Sequence, residues 1–185
     1  LQKEEVQEEL SYLESIIYEF EVATTTQEIE DIRNEFHETF LTDKNLSIKK
    51  NKKNQKNTKK NNLHIEKIGE PLKFTVDNYS VIVGKNNRQN DFITKQANPT
   101  DLWFHTKDVH GSHVILKVNN KFPSQNTINK VASIAAFYSQ ASKSSNVSVD
   151  YTLIKNVKKP SKSKPGMVIY TNNKNVIVHP IIPSK

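Results

Sequence analysis

Two periodicities divide this chain. Over residues 1–23, apolar side chains recur at Val6, Leu10, Leu13, Ile17 and Phe20, at spacings of 4, 3, 4 and 3. That rhythm predicts a helix with the narrow seam of a coiled coil. Thr24-Thr25-Thr26 interrupts it with β-branched residues that propagate a helix poorly and cap one well. Thr25 and Glu28 stand at capping-box spacing, so a second helix is expected, with Ile29, Ile32, Phe36 and Phe40 on one face. Residues 1–41 therefore read as the C-terminal arm of a coiled coil plus a short helix. Leu1 carries no cap, so the first helix is expected to continue from upstream. A seam this apolar needs a partner arm, which is expected to lie outside this chain.

Residues 42–62 show no apolar period. Lysines and asparagines alternate there, and like charges so dense repel and keep a segment extended. It is predicted to be a basic linker.

Residues 63–185 follow another pattern. Leu72–Val76 and Tyr79–Val83 alternate around Asp77-Asn78, the signature of a hairpin. Asn87–Gln96 reads as a short helix, broken at Asn98-Pro99-Thr100. Leu102–Thr106 and His113–Val118 read as strands joined by the Lys107–Ser112 turn. Asn126–Ala141 reads as a helix burying Ile128, Val131, Ala132, Ile134, Ala135 and Tyr138. Val147–Ile154 reads as a strand. Met167–Thr171 and Val176–His179 read as a last hairpin around Asn172–Asn175. Strands outnumber helices and are mostly hairpin-linked. The expected class is α+β, with a mostly antiparallel or mixed sheet and two helices behind a helical arm.

Charge sharpens this division. Residues 1–43 hold 13 acidic and 2 basic side chains, and residues 44–185 hold 25 basic and 7 acidic, so the nets are −11 and +18. Such asymmetry points to two surfaces with different partners, the basic one suited to nucleic acid. No apolar run approaches the roughly 18 residues that would span a membrane. The acidic start Leu1-Gln-Lys-Glu-Glu does not resemble a signal or transit peptide. The absence of cysteine suits a reducing compartment, and a cytoplasmic location is expected.

Chemistry concentrates in two clusters. Gly84-Lys-Asn-Asn-Arg-Gln-Asn-Asp91 supplies Lys85 and Arg88 for phosphate, with Asn86, Asn87 and Gln89 as donors to phosphate, ribose or base edges. Asp101-Leu-Trp-Phe-His-Thr-Lys-Asp-Val-His-Gly-Ser-His113 holds the only tryptophan and three of the six histidines. There Lys107 can meet phosphate, and His105, His110 and His113 can stack or donate. Lys158 and Lys159 add a further basic loop. Arg88 is one of two arginines, and its planar fork suits a bidentate phosphate contact. More mundane roles stand beside these. Trp103 suits a core better than a stacking platform. Asp101 suits a cap or turn, Gly111 backbone freedom, and the loop lysines solvation.

The imidazoles and carboxylates of 101–113 match no zinc template and would be scattered over both faces of a strand–turn–strand, so no metal is expected. Gly84-Lys85-Asn86 lacks the serine or threonine of a phosphate-binding P-loop. Ser112-His113 lacks a nucleophile elbow. No catalytic residue and no cofactor are expected.

These blocks carry a resemblance. Gly84-Lys85-Asn86-Asn87, Asn90-Asp91, Asp101-Leu-Trp-Phe-His105, Gly111-Ser-His113, Val149-Asp150-Tyr151-Thr152 and Lys164-Pro165-Gly166-Met167-Val168, in that order, resemble the NFACT-R domain. It belongs to the fibronectin-binding protein A-like, or RqcH, family of ribosome quality-control factors. The resemblance covers about residues 63–180, and the acidic helix before it is similar to the end of the family's middle coiled coil. His110 stands where the family tends to have proline, keeping a backbone donor and adding a titratable ring. The resemblance implies a non-enzymatic module that docks on RNA of an obstructed large ribosomal subunit. It further implies support for tRNA recruitment during C-terminal alanine tailing, with the coiled coil reaching toward a protein of the ribosomal stalk region. The competing readings are a fibronectin-binding adhesin module exposed at the cell surface, an enzyme acting on nucleic acid through the histidines, and a protein scaffold acting through the acidic coiled coil.

Overall fold

The computed structural model describes residues 2–41, 68–119 and 121–181. The predicted linker 42–62 lies outside the described residues. Two helices open the chain, α1 (Gln2–Val22) and α2 (Thr26–Phe36), and α2 runs on into a π-helical turn, His37–Leu41. The expected capping box is present: the Glu28 N–H donates to Thr25 Oγ1 at 3.2 Å, and the Thr25 N–H donates to Glu28 Oε2 at 3.3 Å.

The order then is β1 (Leu72–Val76), β2 (Tyr79–Val83), α3 (Asn87–Gln96), β3 (Leu102–Thr106), β4 (Val114–Leu116), α4 (Gln125–Phe137), β5 (Val147–Leu153), β6 (Val157–Lys158), β7 (Ile169–Tyr170) and β8 (Lys174–Val178). Six strands form one antiparallel sheet in the order β1-β2-β4-β3-β5-β8, and β6 pairs with β7 in a ribbon. The fold is thus α+β with a helical arm.

The final strands depart from expectation. Met167–Thr171 and Val176–His179 do not pair with each other. Ile169 and Tyr170 pair with Lys158 and Val157, whereas Val176 and Val178 lie opposite Val149 and Val147 of β5. Both segments carry β-forming residues, and a short polar gap between them satisfies a local hairpin as well as it does this split. What decides is burial: β5 offers β8 an apolar neighbour on the core face, where Val178 is buried.

Strand alternation divides the sheet into two unlike faces. One face sends Val81, Leu102, Phe104, Val114, Leu116 and Val149 under α4 and forms the main core. Ala132, Ala135 and Ala136 let α4 approach closely. The opposite face sends out Ile82, Trp103 and Ile115, which pack with Ile93 of α3 and with Val157, Val168 and Tyr170 around the ribbon. The candidate site lies on this second face.

The arm buries a different stripe from its coiled-coil seam. Tyr12, Ile16 and Glu19 turn inward toward Ile32. Of the predicted seam, Leu13 is half-buried and Ile17 reaches the cleft between arm and sheet, whereas Val6, Leu10, Ile17 and Phe20 remain 64%, 47%, 58% and 43% exposed, so most of the seam is an open apolar surface.

Candidate nucleic-acid interface

Alternation along β3 builds the floor. Leu102 and Phe104 enter the main core, which leaves Trp103 and His105 together on the other face. The rings of Trp103 and His105 stack at 5.7 Å and 9°. His113, at the head of β4, meets both edge-on, at 5.2 Å from Trp103 and 5.5 Å from His105. Tyr170 of β7 leans over the indole at 4.8 Å. Trp103 and His113 are buried, whereas His105 is half-buried and forms the outer layer. The Trp103 Nε1–H has no acceptor among the described residues.

Burial disfavours charge on these rings. It lowers the pKa of His105, and it holds that of His113 well below the usual imidazole value, with His105 opposing a second charge nearby. Both rings are therefore neutral at pH 7. His113 Nδ1 lies 2.9 Å from Thr94 Oγ1, and its backbone N–H donates to Asn90 Oδ1 at 2.9 Å. Asp150 lies opposite His105 across β3 and β5. It accepts from the Tyr170 hydroxyl at 2.9 Å and from Asn175 Nδ2 at 2.7 Å. Burial, then the hydrogen bond to Asp150 and its charge, push the Tyr170 pKa up to about 12.

The arm forms the opposite wall. Between it and this floor is a cleft of about 800 Å³, lined from α1 by Glu14, Tyr18, Glu19 and Glu21 and from the loop before β7 by Pro165-Gly166-Met167. Gly166 has φ +76°, and a Cβ there would lie 2.3 Å from Asn87 Oδ1, so glycine is required for both torsion and room. Gly111 has a different reason from the freedom expected of it: it does not have a positive φ. A Cβ there would lie 2.8 Å from Ser139 Cβ, so close packing excludes one.

The 84–91 cluster does not face the cleft as a row of donors. Asn86 caps α3, accepting from the Gln89 N–H at 2.9 Å, and Gln89 Oε1 accepts from the Lys85 N–H at 3.0 Å. Asn86, Asn87 and Gln89 are all buried. Asn87 Nδ2 donates to Ser15 Oγ at 3.0 Å, Lys85 Nζ pairs with Glu28 at 2.5 Å, and Arg88 pairs with Glu38. The acidic arm thus takes the cations expected for phosphate. Its own buried carboxyls join this junction. Glu35 accepts from the Tyr12 hydroxyl at 2.6 Å. Burial, with Glu35 close by, raises the Glu19 pKa well above the carboxylate range, and burial raises that of Glu35.

The remaining predicted residues separate clearly. His105, His110 and His113 line the cleft, and Lys107 is exposed on its rim between Thr106 and Asp108. His110 Nε2 lies 3.5 Å from Glu14, and its backbone N–H, the donor that proline would remove, reaches Gln140 Oε1 at 3.4 Å. Lys158 is exposed, and Lys159 pairs with Asp91. Lys164 lies 5.0 Å and 4.7 Å from the ring centres of Tyr12 and Phe40, a cation–π contact that ties the loop to the arm. Asp101 is fully buried and accepts from the Asn98 and Val118 N–H groups and from Lys117. Sequence reasoning missed Tyr170 as a floor residue, Asp150 as its anchor, and the Glu19–Glu35 pair. Their signals, β5 alternation and an acidic residue on a buried helical stripe, have meaning only once the neighbouring elements are placed. Among the described residues, no group of three or more histidines, aspartates or glutamates could hold a metal ion.

Fold and cleft define an α+β binding module with a helical arm, an aromatic and imidazole floor, and lysines at the rim. The chain belongs to the NFACT family, since the NFACT protein RNA binding domain matches residues 72–172. The Rqc2 homolog RqcH of Bacillus subtilis (strain 168) is 39% identical over 94% of this chain and 28% of that protein. The Rqc2 homolog RqcH of Streptococcus suis (strain 05ZYH33) is 35% identical over 96% of this chain and 30% of that protein. The chain therefore spans less than a third of the length of these two relatives. Among solved structures, the C-terminal part of the fibronectin/fibrinogen-binding protein from Streptococcus suis superposes with a TM-score of 0.78 at 32% identity, covering 96% of this chain and 66% of that one.

Proposed function

We propose that this chain is the RNA-docking module of a ribosome-associated quality-control factor. It acts in the cytoplasm on the RNA of an obstructed large ribosomal subunit and supports tRNA recruitment for C-terminal alanine tailing. It makes and breaks no bond itself. The observation that carries this proposal is the RNA-binding-domain match over residues 72–172. Within it, Lys107, Lys158 and Lys162 are exposed and make no ion pair among the described residues. Such side chains contact phosphate without reading sequence. The outward apolar seam of α1 is the surface for a second coiled-coil arm, which extends the module toward a protein of the ribosomal stalk region.

Co-sedimentation with purified large subunits at low and moderate salt tests this. Saturable binding is expected to weaken in Lys107→Ala/Lys158→Ala and to fall steeply with salt. Binding that disappears only on deletion of 42–62 would assign the attraction to the linker. A total absence of binding would overturn the proposal.

A second reading, fibronectin binding, is favoured by the likeness to the fibronectin/fibrinogen-binding protein of S. suis. Immobilised fibronectin that captures the chain at physiological salt, undisturbed by excess RNA, would support it.

A further inference from the structure

Charge is segregated across the cleft. Inside, the wall carries Glu14 and Glu21, with Asp108 at the turn. Among the described residues, the one lysine lining the cleft, Lys85, is paired with Glu28. Phosphate entering this space would meet carboxylates and no unpaired lysine, a repulsive arrangement. Outside, Lys107 is exposed between the lining residues Thr106 and Asp108, and Lys162 is exposed in the loop that leads to the lining residues Pro165-Gly166-Met167. The floor is a layered stack, with Trp103 beneath and His105 above it at 9°, half-buried and lining the open space. A flat ring placed on His105 would continue the stack. The volume of about 800 Å³ falls within the usual size of small-ligand sites.

The geometry points to a cleft that takes one unpaired RNA base, stacked on His105, while the flanking phosphates stay outside on Lys107 and Lys162. This rests on the RNA-binding reading above and deepens it. The module recognises unpaired RNA, because in a duplex both faces of a base are already stacked and its pairing edge is occupied. Asn87 and Asn90 line the same space, but their amides already bond Ser15 Oγ and the His113 N–H, so recognition rests on the stack and on the phosphates outside. Neutral imidazoles suit this role, since they stack without attracting phosphate inward.

Trp103 is the only tryptophan, so intrinsic fluorescence reports on the floor directly. Three fluorescein-labelled RNAs are compared at low salt: a single-stranded oligo-adenylate, the same backbone made abasic, and a duplex. Anisotropy reads binding and tryptophan emission reads stacking. All three are expected to bind through phosphate, the base-bearing strand about tenfold more tightly than the abasic one. Only that strand should quench Trp103, saturably and reversibly by millimolar adenosine. His105→Ala should remove that tenfold advantage while leaving the abasic strand's affinity unchanged, and His105→Phe should restore it. The comparison of RNAs on the unaltered protein stands even where His105→Ala fails to fold.

Equal affinity for base-bearing and abasic strands with no quenching would overturn the base site and leave the RNA-binding reading intact. Quenching by an oligo-arginine peptide and not by RNA would overturn it in favour of a cationic side chain against the acidic wall. No anisotropy change with any RNA would overturn both.

Discussion

The 84–91 and 101–113 segments are close in residue type and opposite in fate. Both are dense in polar groups, and each adjoins the same sheet: 84–91 follows β2 and 101–113 contains β3. Yet 84–91 is consumed by the chain itself, its amides capping α3 and its cations held by Glu28 and Glu38 of the arm. The 101–113 segment leaves His105, Lys107 and His110 on or beside the open cleft. The difference lies in what each segment has to satisfy. A helix start presents unpaired N–H groups, and nearby Asn and Gln side chains are drawn to them. A turn between paired strands has few such demands, so its side chains remain available. Density of polar groups is therefore poor evidence of a binding surface until the backbone's own needs have been subtracted.

The sharpest division should come from Trp103→Ala. It removes the buried floor and is expected to cost about 3–5 kcal/mol in chemical denaturation, as for other large core truncations. A loss near that expected of a surface residue would mean that the cleft floor is not core, and would blur the contrast between the two segments. Next, Gln89→Ala leaves the Lys85 N–H unpaired in a partly buried site and should destabilise by about 1–3 kcal/mol. Asn86→Ala, which removes the α3 cap, should cost about 1 kcal/mol. RNA affinity per folded molecule should not move in either variant. A several-fold fall in affinity with stability intact would show that 84–91 is recognition surface after all.

Acidity provides an intermediate test. The pKa values of His105 and His113 are lowered on folding, so between their folded and unfolded values the unfolded chain binds more protons. Their contribution to stability is full above an unfolded pKa of about 6.5 and is lost as pH falls through the lower folded values. Melting temperature should therefore drop below neutral pH, and His113→Asn should flatten that limb. The arm behaves in the opposite sense. Glu19 and Glu35 are raised, so their contribution is full below their unfolded values and lost as pH climbs through the raised folded ones. Glu19→Gln should make arm docking, followed by hydrogen exchange of α1, less sensitive to alkaline pH. Glu28 is lowered chiefly by its bond from Lys85, against the pull of burial, and supports docking only until pH falls through its folded value.

The smallest effect on stability belongs to Lys107→Ala, within about 0.5 kcal/mol. Its effect should appear instead in binding, as a reduction of about one in the slope of log affinity against log salt. An unchanged slope would remove the rim lysine from the interface.

Much of this molecule was legible in its sequence. β1, β2, β3 and α3 fall where alternation, turn residues and helix breakers placed them, and the Thr25–Glu28 box formed. Trp103 and His105 share a face because period two requires it. The buried Trp103 and the capping Asp101 also matched their expected structural roles. These are properties of residues a few positions apart, and local sterics and backbone hydrogen bonding settle them. Three things needed the folded chain: β8 joining β5 rather than β7, the acidic arm covering Lys85 and Arg88, and Tyr170 and Asp150 completing the floor beneath His105. Each pairs residues whose local patterns allow several partners. The choice falls to whichever assembly buries the most apolar surface while leaving the fewest charges and N–H groups unpaired, a sum that only the tertiary structure takes.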